Sequence, residues 1–133
     1  MRYLVDSTWV IDNLLGLPEA VELLDALEPD GYTVSILSYM EAYQGTLRAQ
    51  ATPQLRQAFD TFFAAVPVLP FSPTVARRCA RLRQELKLQG KRVNARATDL
   101  MIAATALEHG LEFVTNNVDD YDDIPGLTLY PQR

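Results

Sequence analysis

The sequence predicts an α/β fold with a mainly parallel sheet that helices cover on both faces. Short strand-like apolar runs alternate with longer segments whose apolar residues recur at helical spacing, and this is the pattern of βαβ units. The chain has 133 residues, of which 48% are apolar. That is enough for one compact domain with a full core and too few for two ordinary ones. We therefore expect a single domain over residues 1–133.

Five short segments have the composition of β-strands. They are rich in β-branched and aromatic residues and lie next to turn residues such as Pro, Gly and Asp. The predicted strands are residues 2–5, 32–37, 66–70, 112–115 and 127–130. The third contains Pro67 and Pro70, and because proline has no amide proton to donate, this strand is expected to be short or at a sheet edge.

The segments between the strands predict six helices. Most begin near a proline or near a residue that caps helices well, and turn residues follow several of them. The predicted helices start near Trp9, Pro18, Ser38, Thr52, Pro73 and Thr98. Cys79, the single cysteine, falls on the apolar side of the helix from about Pro73 to Leu88, so it is expected to be a core residue.

Composition excludes several classes of protein. No segment approaches the roughly 18 to 20 uninterrupted apolar residues of a membrane span, and the N-terminus lacks the features of a signal peptide. A single cysteine cannot form an internal disulfide, which agrees with a reducing compartment. We expect a soluble cytoplasmic protein with no membrane partner. The net charge of −5 argues against a protein that passively coats nucleic acid.

The basic residues are nevertheless concentrated in one window. Eight of the twelve Lys and Arg residues lie between positions 77 and 96, together with one acid, Glu85. This window could be a solvated helix face, or it could guide an anionic polymer towards the acidic residues, and the sequence leaves both interpretations open. The candidates for contact with a nucleic-acid backbone are Arg77, Arg81, Lys91, Arg92 and Arg96.

Acidic residues recur where a predicted strand gives way to the next segment. Asp6 follows the first strand directly, Glu41 comes shortly after the second, and Asp99 lies at the start of the last long helix. Asp119 and Asp120 follow the fourth strand. Since the carboxyl ends of parallel strands meet at one edge of a sheet, these carboxylates are expected to gather there. Carboxylate oxygens are ligands of hard divalent cations, so the sequence predicts a metal site.

The position of Asp6 has two interpretations. Asp, Ser and Thr all cap helices well, so Asp6 could cap the helix that follows it. Ser7 or Thr8 could serve equally well, which leaves Asp6 free. Because an unpaired buried charge is costly, we favour a ligand role for Asp6.

Glu41 and Asp99 have structural alternatives of their own. Glu41 lies three residues after Ser38, as in a capping box, and the residues alone favour that role. Asp99 could be a first-turn acid that interacts with the helix dipole. However, Thr98 already offers a cap, and the segment after Asp99 is so apolar that the carboxylate must face something polar. A metal ion would meet that need.

Taken in order, four segments resemble those of a PIN-domain nuclease. More narrowly, they resemble the VapC type of toxin ribonuclease found in bacterial and archaeal toxin–antitoxin pairs. The segments are VDST at 5–8, SYME at 38–41, TDLMIA at 98–103, and VTNN at 114–117 with DY at 120–121 and IPG at 124–126. The resemblance covers the chain from Met1 to about Tyr130.

This resemblance implies an α/β/α sandwich around a mainly parallel, roughly five-stranded sheet. It also implies cleavage of RNA that depends on Mg²⁺, or on Mn²⁺. By position, Asp6, Glu41 and Asp99 match three acidic residues of the metal site.

The fourth acid is less secure. Asp120 matches an acid that precedes an aromatic residue, and Asp119 is its alternative. Asn117 matches a position that holds Asp or Asn in the family, and here it lacks the charge. Ser7 and Thr115 match hydroxyl positions that orient the acidic groups.

The resemblance further implies two protein partners. A VapB-type antitoxin would lie over the helices of residues 38–63 with an Arg near the metal site, because a nuclease of this kind would harm its own cell unless blocked. A second copy of the chain would form a homodimer.

Two other classes remain open. A noncatalytic binding module with a PIN fold is one, and Asn117 would be a first sign of lost activity. A receiver-like or phosphatase-like phosphotransfer domain is the other. The receiver class needs a lysine on a late strand, and the phosphatase class needs a second Asp two residues after the first, where this sequence has Thr8.

Overall fold

The computed structural model describes residues 1–131. Within that range, six α-helices cover a parallel sheet of four short strands. The strands are β1 Tyr3–Val5, β2 Tyr32–Ser35, β3 Val68–Leu69 and β4 Glu112–Val114. The helices are α1 Ser7–Leu14, α2 Pro18–Leu27, α3 Ile36–Gly45, α4 Pro53–Ala65, α5 Pro73–Leu88 and α6 Ala97–His109. All six predicted helices are confirmed, with starts that agree within two residues.

The strands follow the order β3-β2-β1-β4, and every neighbouring pair is parallel. Successive strands lie on one side of β1 until β3, after which α5 and α6 carry the chain back to β4 on the other side. The strand order therefore reverses between β1 and β4. In open α/β sheets the crevice at such a switch point is where ligands bind.

Side chains alternate across the sheet and divide the core between its two faces. Leu4 and Phe113 face α5 and α6, whereas Val5 and Val114 face the helices α1 to α4. Both faces are buried, so the predicted α/β/α sandwich is confirmed. Cys79 is 4% exposed and belongs to the first core, as its spacing predicts. None of the helices in residues 1–131 is long and apolar enough to cross a membrane.

The sheet has four strands where the sequence predicts about five. The segment 127–130 pairs with β4 only through an isolated parallel bridge between Leu129 and Phe113. Two hydrogen bonds of 2.8 Å form there, from the Phe113 amide to the Thr128 carbonyl and from the Tyr130 amide to the Phe113 carbonyl. The next pair in this parallel register would need Thr115, which lies beyond the end of β4 at Val114, so the contact stays an isolated bridge.

The boundary between β2 and α3 differs from the predicted one. Strand β2 ends at Ser35 instead of residue 37, and α3 ends at Gly45 instead of about residue 49. Ser35 still has extended backbone angles, and its hydroxyl oxygen accepts a 3.0 Å hydrogen bond from the Ser38 amide. Ser35, and not Ser38, therefore caps the helix that carries Glu41.

Candidate metal site at the carboxyl ends of the strands

Asp6 lies at the switch point of the sheet, between β1 and α1. It is only 5% exposed. Its Oδ1 accepts a 2.8 Å hydrogen bond from the Ser7 amide, and its Oδ2 accepts a 2.7 Å bond from the Thr115 hydroxyl. The Asp6 amide donates to the Val114 carbonyl at 2.9 Å. The ends of β1 and β4 are thus joined through one buried carboxylate.

The structure corrects the predicted cap of α1. Asp6 keeps extended backbone angles and is itself the cap, while Ser7 is the first helical residue. Capping uses one carboxylate oxygen and Thr115 bonds the other. Asp6 can therefore cap α1 and also take part in the candidate site. The expectation that these two roles exclude each other was wrong.

Thr115 orients the Asp6 carboxylate. The residue is 1% exposed, and its hydroxyl oxygen accepts a 3.1 Å hydrogen bond from the Asn117 amide while its proton goes to Asp6. The turn after β4 therefore sets the direction of the hydroxyl, and the hydroxyl sets the rotamer of Asp6. This contact agrees with the orienting role that the resemblance implies for Thr115.

Asp99 lies in the first turn of α6 and is partly buried. Its Oδ1 accepts a 3.1 Å hydrogen bond from the Tyr121 hydroxyl. Thr98, predicted as a possible cap, lies inside the helix, and the cap position holds Arg96 without a side-chain capping bond. Asp99 thus has a partner across the site that sequence analysis missed. The available signal was an aromatic residue within the otherwise acidic segment 119–123, since a tyrosine that becomes buried usually needs a hydrogen-bond partner for its hydroxyl.

Glu41 is half-buried on α3 and belongs to the same group of acids. Because Ser35 is the cap, the third helical position is Ser38, and the predicted capping box is wrong. Burial raises the pKa of Glu41, the neighbouring Ser7 side chain opposes that rise, and the charges of Asp6 and Asp99 add to it. The Glu41 carboxylate is thus within electrostatic range of both aspartates.

Negative charge accumulates around Asp6. Burial raises the pKa of its carboxyl group, and the charges of Asp99 and Asp120 raise it further, against the two hydrogen bonds from Thr115 and Ser7. The pKa of the Tyr121 hydroxyl is also raised, first by burial and then by the charges of Asp6 and Asp99. A cation would relieve this repulsion.

The donor set fits a hard, partly hydrated cation. Within residues 1–131, no group of three or more His, Cys, Asp or Glu side chains is arranged closely enough to enclose an ion. The acids that act on one another electrostatically offer only oxygen donors. Mg²⁺ keeps several waters and binds through one or two carboxylates and substrate phosphates, so an open set of carboxylates suits it better than it suits an ion that needs a closed cage.

The remaining candidates for the fourth acid lie in the loop after β4. Asp119 and Asp120 are exposed on a 3₁₀ turn, Val118–Asp120. Asp120 is close enough to raise the pKa of Asp6. Asn117 is also exposed, and its amide is bonded to Thr115. The choice of Asp120 stays a prediction.

The basic candidates divide into two groups. Arg77, Arg81 and Arg92 are exposed. Arg96 forms a bidentate pair with Asp123, with Nη1 2.9 Å from Oδ2 and Nη2 2.8 Å from Oδ1, and Lys91 Nζ lies 3.2 Å from Asp123 Oδ2. The hydrogen bond from Arg96, the contact with Lys91 and the two positive charges outweigh burial and lower the pKa of Asp123 to about 2. Two of the five candidates, Arg96 and Lys91, thus form ion pairs with Asp123.

Comparison with known proteins agrees with this geometry. A model of the PIN domain matches residues 3–127. The chain belongs to the PIN domain family. This PIN domain is 35% identical over 107 residues to ribonuclease VapC5 of Mycobacterium tuberculosis, covering 79% of this chain and 77% of the relative. The predicted resemblance to VapC-type PIN domains is confirmed, and the phosphotransfer classes are excluded.

Two further proteins are similar over nearly the whole PIN domain. The tRNA(fMet)-specific endonuclease VapC of Salmonella typhimurium is 26% identical over 129 residues, 97% of this chain and 96% of the relative. A solved toxin–antitoxin complex from Klebsiella pneumoniae contains a chain with 31% identity and a TM-score of 0.72, with 98% of this chain and 100% of that chain covered. The similarity therefore includes the acidic edge and the helices around it.

Proposed function

We propose that this PIN domain is a metal-dependent endoribonuclease and the toxin of a toxin–antitoxin pair. The observation that carries the proposal is the buried Asp6 carboxylate, held at the switch point by Thr115 and in electrostatic range of Glu41, Asp99 and Asp120. The names of the relatives, a ribonuclease and a tRNA-specific endonuclease, support RNA as the substrate class.

The four acids would hold Mg²⁺ or Mn²⁺. Such an ion polarises the phosphodiester and lowers the pKa of a water molecule. Asp6 is preorganised for this role, because each of its oxygens accepts one fixed hydrogen bond and the carboxylate need not reorient. We expect products with a 5′-phosphate and a 3′-hydroxyl.

The exposed arginines would contact the RNA backbone. Arg77 and Arg81 lie on α5, and Arg92 lies in the segment between α5 and α6 that leads to Asp99. Basic side chains on this path would draw an anionic polymer past the acidic edge. Arg96 and Lys91, also predicted contacts, would have to act from within their ion pairs with Asp123.

RNA cleavage tests the proposal. Wild-type protein should cut a total RNA pool in the presence of Mn²⁺, and Asp6→Asn and Asp99→Asn should lower the rate at least about 100-fold, since each removes a charged ligand. Asp122→Asn is the matched control, because Asp122 is an exposed acid in the loop after β4 and is not one of the four proposed ligands. This substitution should leave the rate within about twofold of the wild type.

Inactivity of the wild type with Mn²⁺ would reject the nuclease proposal and favour a noncatalytic binding module. If the wild type cleaves, sequencing the 5′ ends of the fragments would identify the RNA target. Equal activity of wild type and Asp6→Asn would reject the assigned site.

An antitoxin would occupy an apolar groove between α1, α3 and the start of α4. The groove has a volume of about 200 Å³, and apolar side chains form most of its wall, among them Ile11, Leu14, Leu15, Ala42 and Leu55. Leu15 follows α1, Met40 and Tyr43 lie on α3, and Leu47 follows α3. All four side chains are 47% to 63% exposed. Exposed apolar side chains beside an apolar groove are typical of a surface that binds another protein.

Co-purification tests the partner. The tagged protein should bring down a small chain from its own host, and Leu15→Glu should abolish this. Leu88→Glu is the control, since Leu88 is 79% exposed on α5 and lies outside the groove. Equal recovery of the partner with both variants would place the interface elsewhere.

The proposed homodimer predicts twice the monomer mass in solution, and a monomer mass would reject it.

A further inference from the structure

Tyr121 makes a contact that the proposed chemistry does not by itself require. Its side chain is 3% exposed, and its ring packs edge-on against Phe113 with centroids 4.8 Å apart. The hydroxyl is directed at Oδ1 of Asp99, 3.1 Å away. A phenylalanine would serve the packing equally well, so the hydroxyl has a separate role.

We propose that Tyr121 is a positioning residue that fixes the Asp99 carboxylate for the cation, and that the Arg96–Asp123 ion pair holds Tyr121 in place. This inference rests on the proposed metal-dependent function. A tyrosine hydroxyl is suited to the task because it is a neutral donor. It fixes the rotamer of the carboxylate without neutralising its charge, whereas Lys or Arg in the same place would compete with the cation.

The bond uses one of the two Asp99 oxygens. A carboxylate has about four lone-pair positions on its two oxygens, so Oδ2 remains for an ion. Asp6 is fixed by Thr115 in a similar way. Each of the two aspartates is therefore oriented by a hydroxyl from the segment after β4, and both hydroxyls come from residues that are almost fully buried.

The Arg96–Asp123 pair ties the same loop to the same helix. Besides its bidentate contact with Asp123, Arg96 Nη2 donates to the Asp120 carbonyl at 2.7 Å. The two anchor points in the loop flank Tyr121. Arg96 precedes Asp99 by three residues, so the ion pair and the Tyr121–Asp99 bond are two links between the same segments. A bidentate guanidinium contact holds orientation as well as distance.

Metal affinity measured without RNA tests the role of Tyr121. We expect Tyr121→Phe to raise the dissociation constant for Mn²⁺ about 10-fold or more, the usual size of losing a group that orients a ligand. Tyr3→Phe is the matched control, because Tyr3 is also buried against an aromatic ring, that of Tyr130, and lies at the opposite end of β1. It should change the affinity less than twofold.

Kinetics separates positioning from a general loss of structure. In Tyr121→Phe, kcat at low Mn²⁺ should fall and should recover when Mn²⁺ is raised to saturation, with KM for RNA unchanged. Wild-type Mn²⁺ affinity in Tyr121→Phe would overturn the inference, and so would a loss of kcat that saturating Mn²⁺ does not restore.

Arg96→Gln tests the ion pair, because a role of Arg96 through its charge alone and a role in holding the loop predict opposite changes in Mn²⁺ affinity. Removing a positive charge near Asp99 and Asp120 should raise Mn²⁺ affinity if charge alone matters. If Arg96 holds the loop, its loss lowers the affinity, and we expect this result. A rise or no change would overturn the role of the pair.

The two proposals fail in different ways. If the wild type neither binds Mn²⁺ nor cleaves RNA, the proposed function fails and the inference fails with it. If the wild type does both and Tyr121→Phe matches it in affinity and rate, only the inference fails.

Discussion

Asp6 is the residue at which stability and the proposed function are in conflict. Its carboxylate is buried among other acids, and burial followed by the charges of Asp99 and Asp120 raises its pKa. Without a cation, the ionised form therefore costs free energy at neutral pH. Residues at functional sites often carry such a cost, and substitution makes it measurable.

Asp6→Asn should make the metal-free protein more stable at pH 7, by about 1 kcal/mol, which is a common size for a stabilising substitution. The folded pKa of Asp6 lies above its unfolded value of about 3.8. The wild type therefore loses stability as pH rises from the unfolded pKa through the folded one, whereas Asn does not titrate. Urea unfolding at several pH values measures the difference, which should vanish below about pH 3.8.

Thr115→Val supplies a comparison at the same contact. It removes the hydroxyl that donates to Oδ2 of Asp6 and so removes an interaction that opposes the rise in pKa. This variant should be less stable than the wild type at pH 7. If Asp6→Asn is less stable than the wild type in metal-free buffer at pH 7, the cost assigned to the buried charge is wrong.

At the scale of elements, helix ends decide which side chains reach the site. The cap at Ser35 starts α3 two residues earlier than the sequence predicts and takes Glu41 out of the first turn. At the other end of the fold, α6 stops at Gly110, which has φ +63°. This left-handed conformation allows the chain to turn directly into β4.

Gly110→Ala should destabilise the protein by about 1 kcal/mol. No atom lies within 4 Å of a Cβ added at this position, so the cost comes from the left-handed backbone and not from a clash. Equilibrium unfolding in urea measures it.

Gly45→Ala is the opposite case. Gly45 ends α3 without a positive φ, and its new Cβ would make an ordinary contact with Ile11 Cδ1 at 3.8 Å. This variant should be as stable as the wild type or more stable by up to about 1 kcal/mol. Equal destabilisation by both substitutions would mean that packing, and not backbone conformation, sets the cost.

At the scale of the whole molecule, topology brings distant residues to one edge. Asp6 and Thr115 are 109 positions apart and make a 2.7 Å hydrogen bond, because β1 and β4 are neighbours in the order β3-β2-β1-β4. A cation bound at this edge would be held by residues from several segments of the chain. Binding and global stability should therefore be linked.

Mn²⁺ should raise the free energy of unfolding by about 2.7 kcal/mol at 100 times its dissociation constant, since a ligand that binds only the folded state stabilises it by mass action. Thermal unfolding with increasing Mn²⁺ measures the shift. Asp99→Asn should show little of this Mn²⁺-dependent stabilisation, and Asp122→Asn should show the same stabilisation as the wild type. A shift of equal size in all three proteins would place the ion outside the acidic edge.

Much of the fold could be predicted because the information is local. Apolar periodicity, prolines at helix starts and the glycine after α6 placed all six helices and the first four strands, with boundary errors of a few residues. Pairing is not local: whether 127–130 forms a strand depends on how far β4 extends beside it, and β4 ends at Val114.

The sequence by itself determined the order of elements, the family and the position of an acid after β1, because these depend on residue types and their spacing. Only the tertiary structure decided that Asp6 both caps α1 and bonds Thr115, that Glu41 is free of a capping box, and that Tyr121 bonds Asp99. It also decided that Arg96 and Lys91 are engaged by Asp123. The physical reason is that a hydrogen bond or ion pair between side chains depends on direction and on distances of about 3 Å, and only the folded arrangement of distant segments sets these.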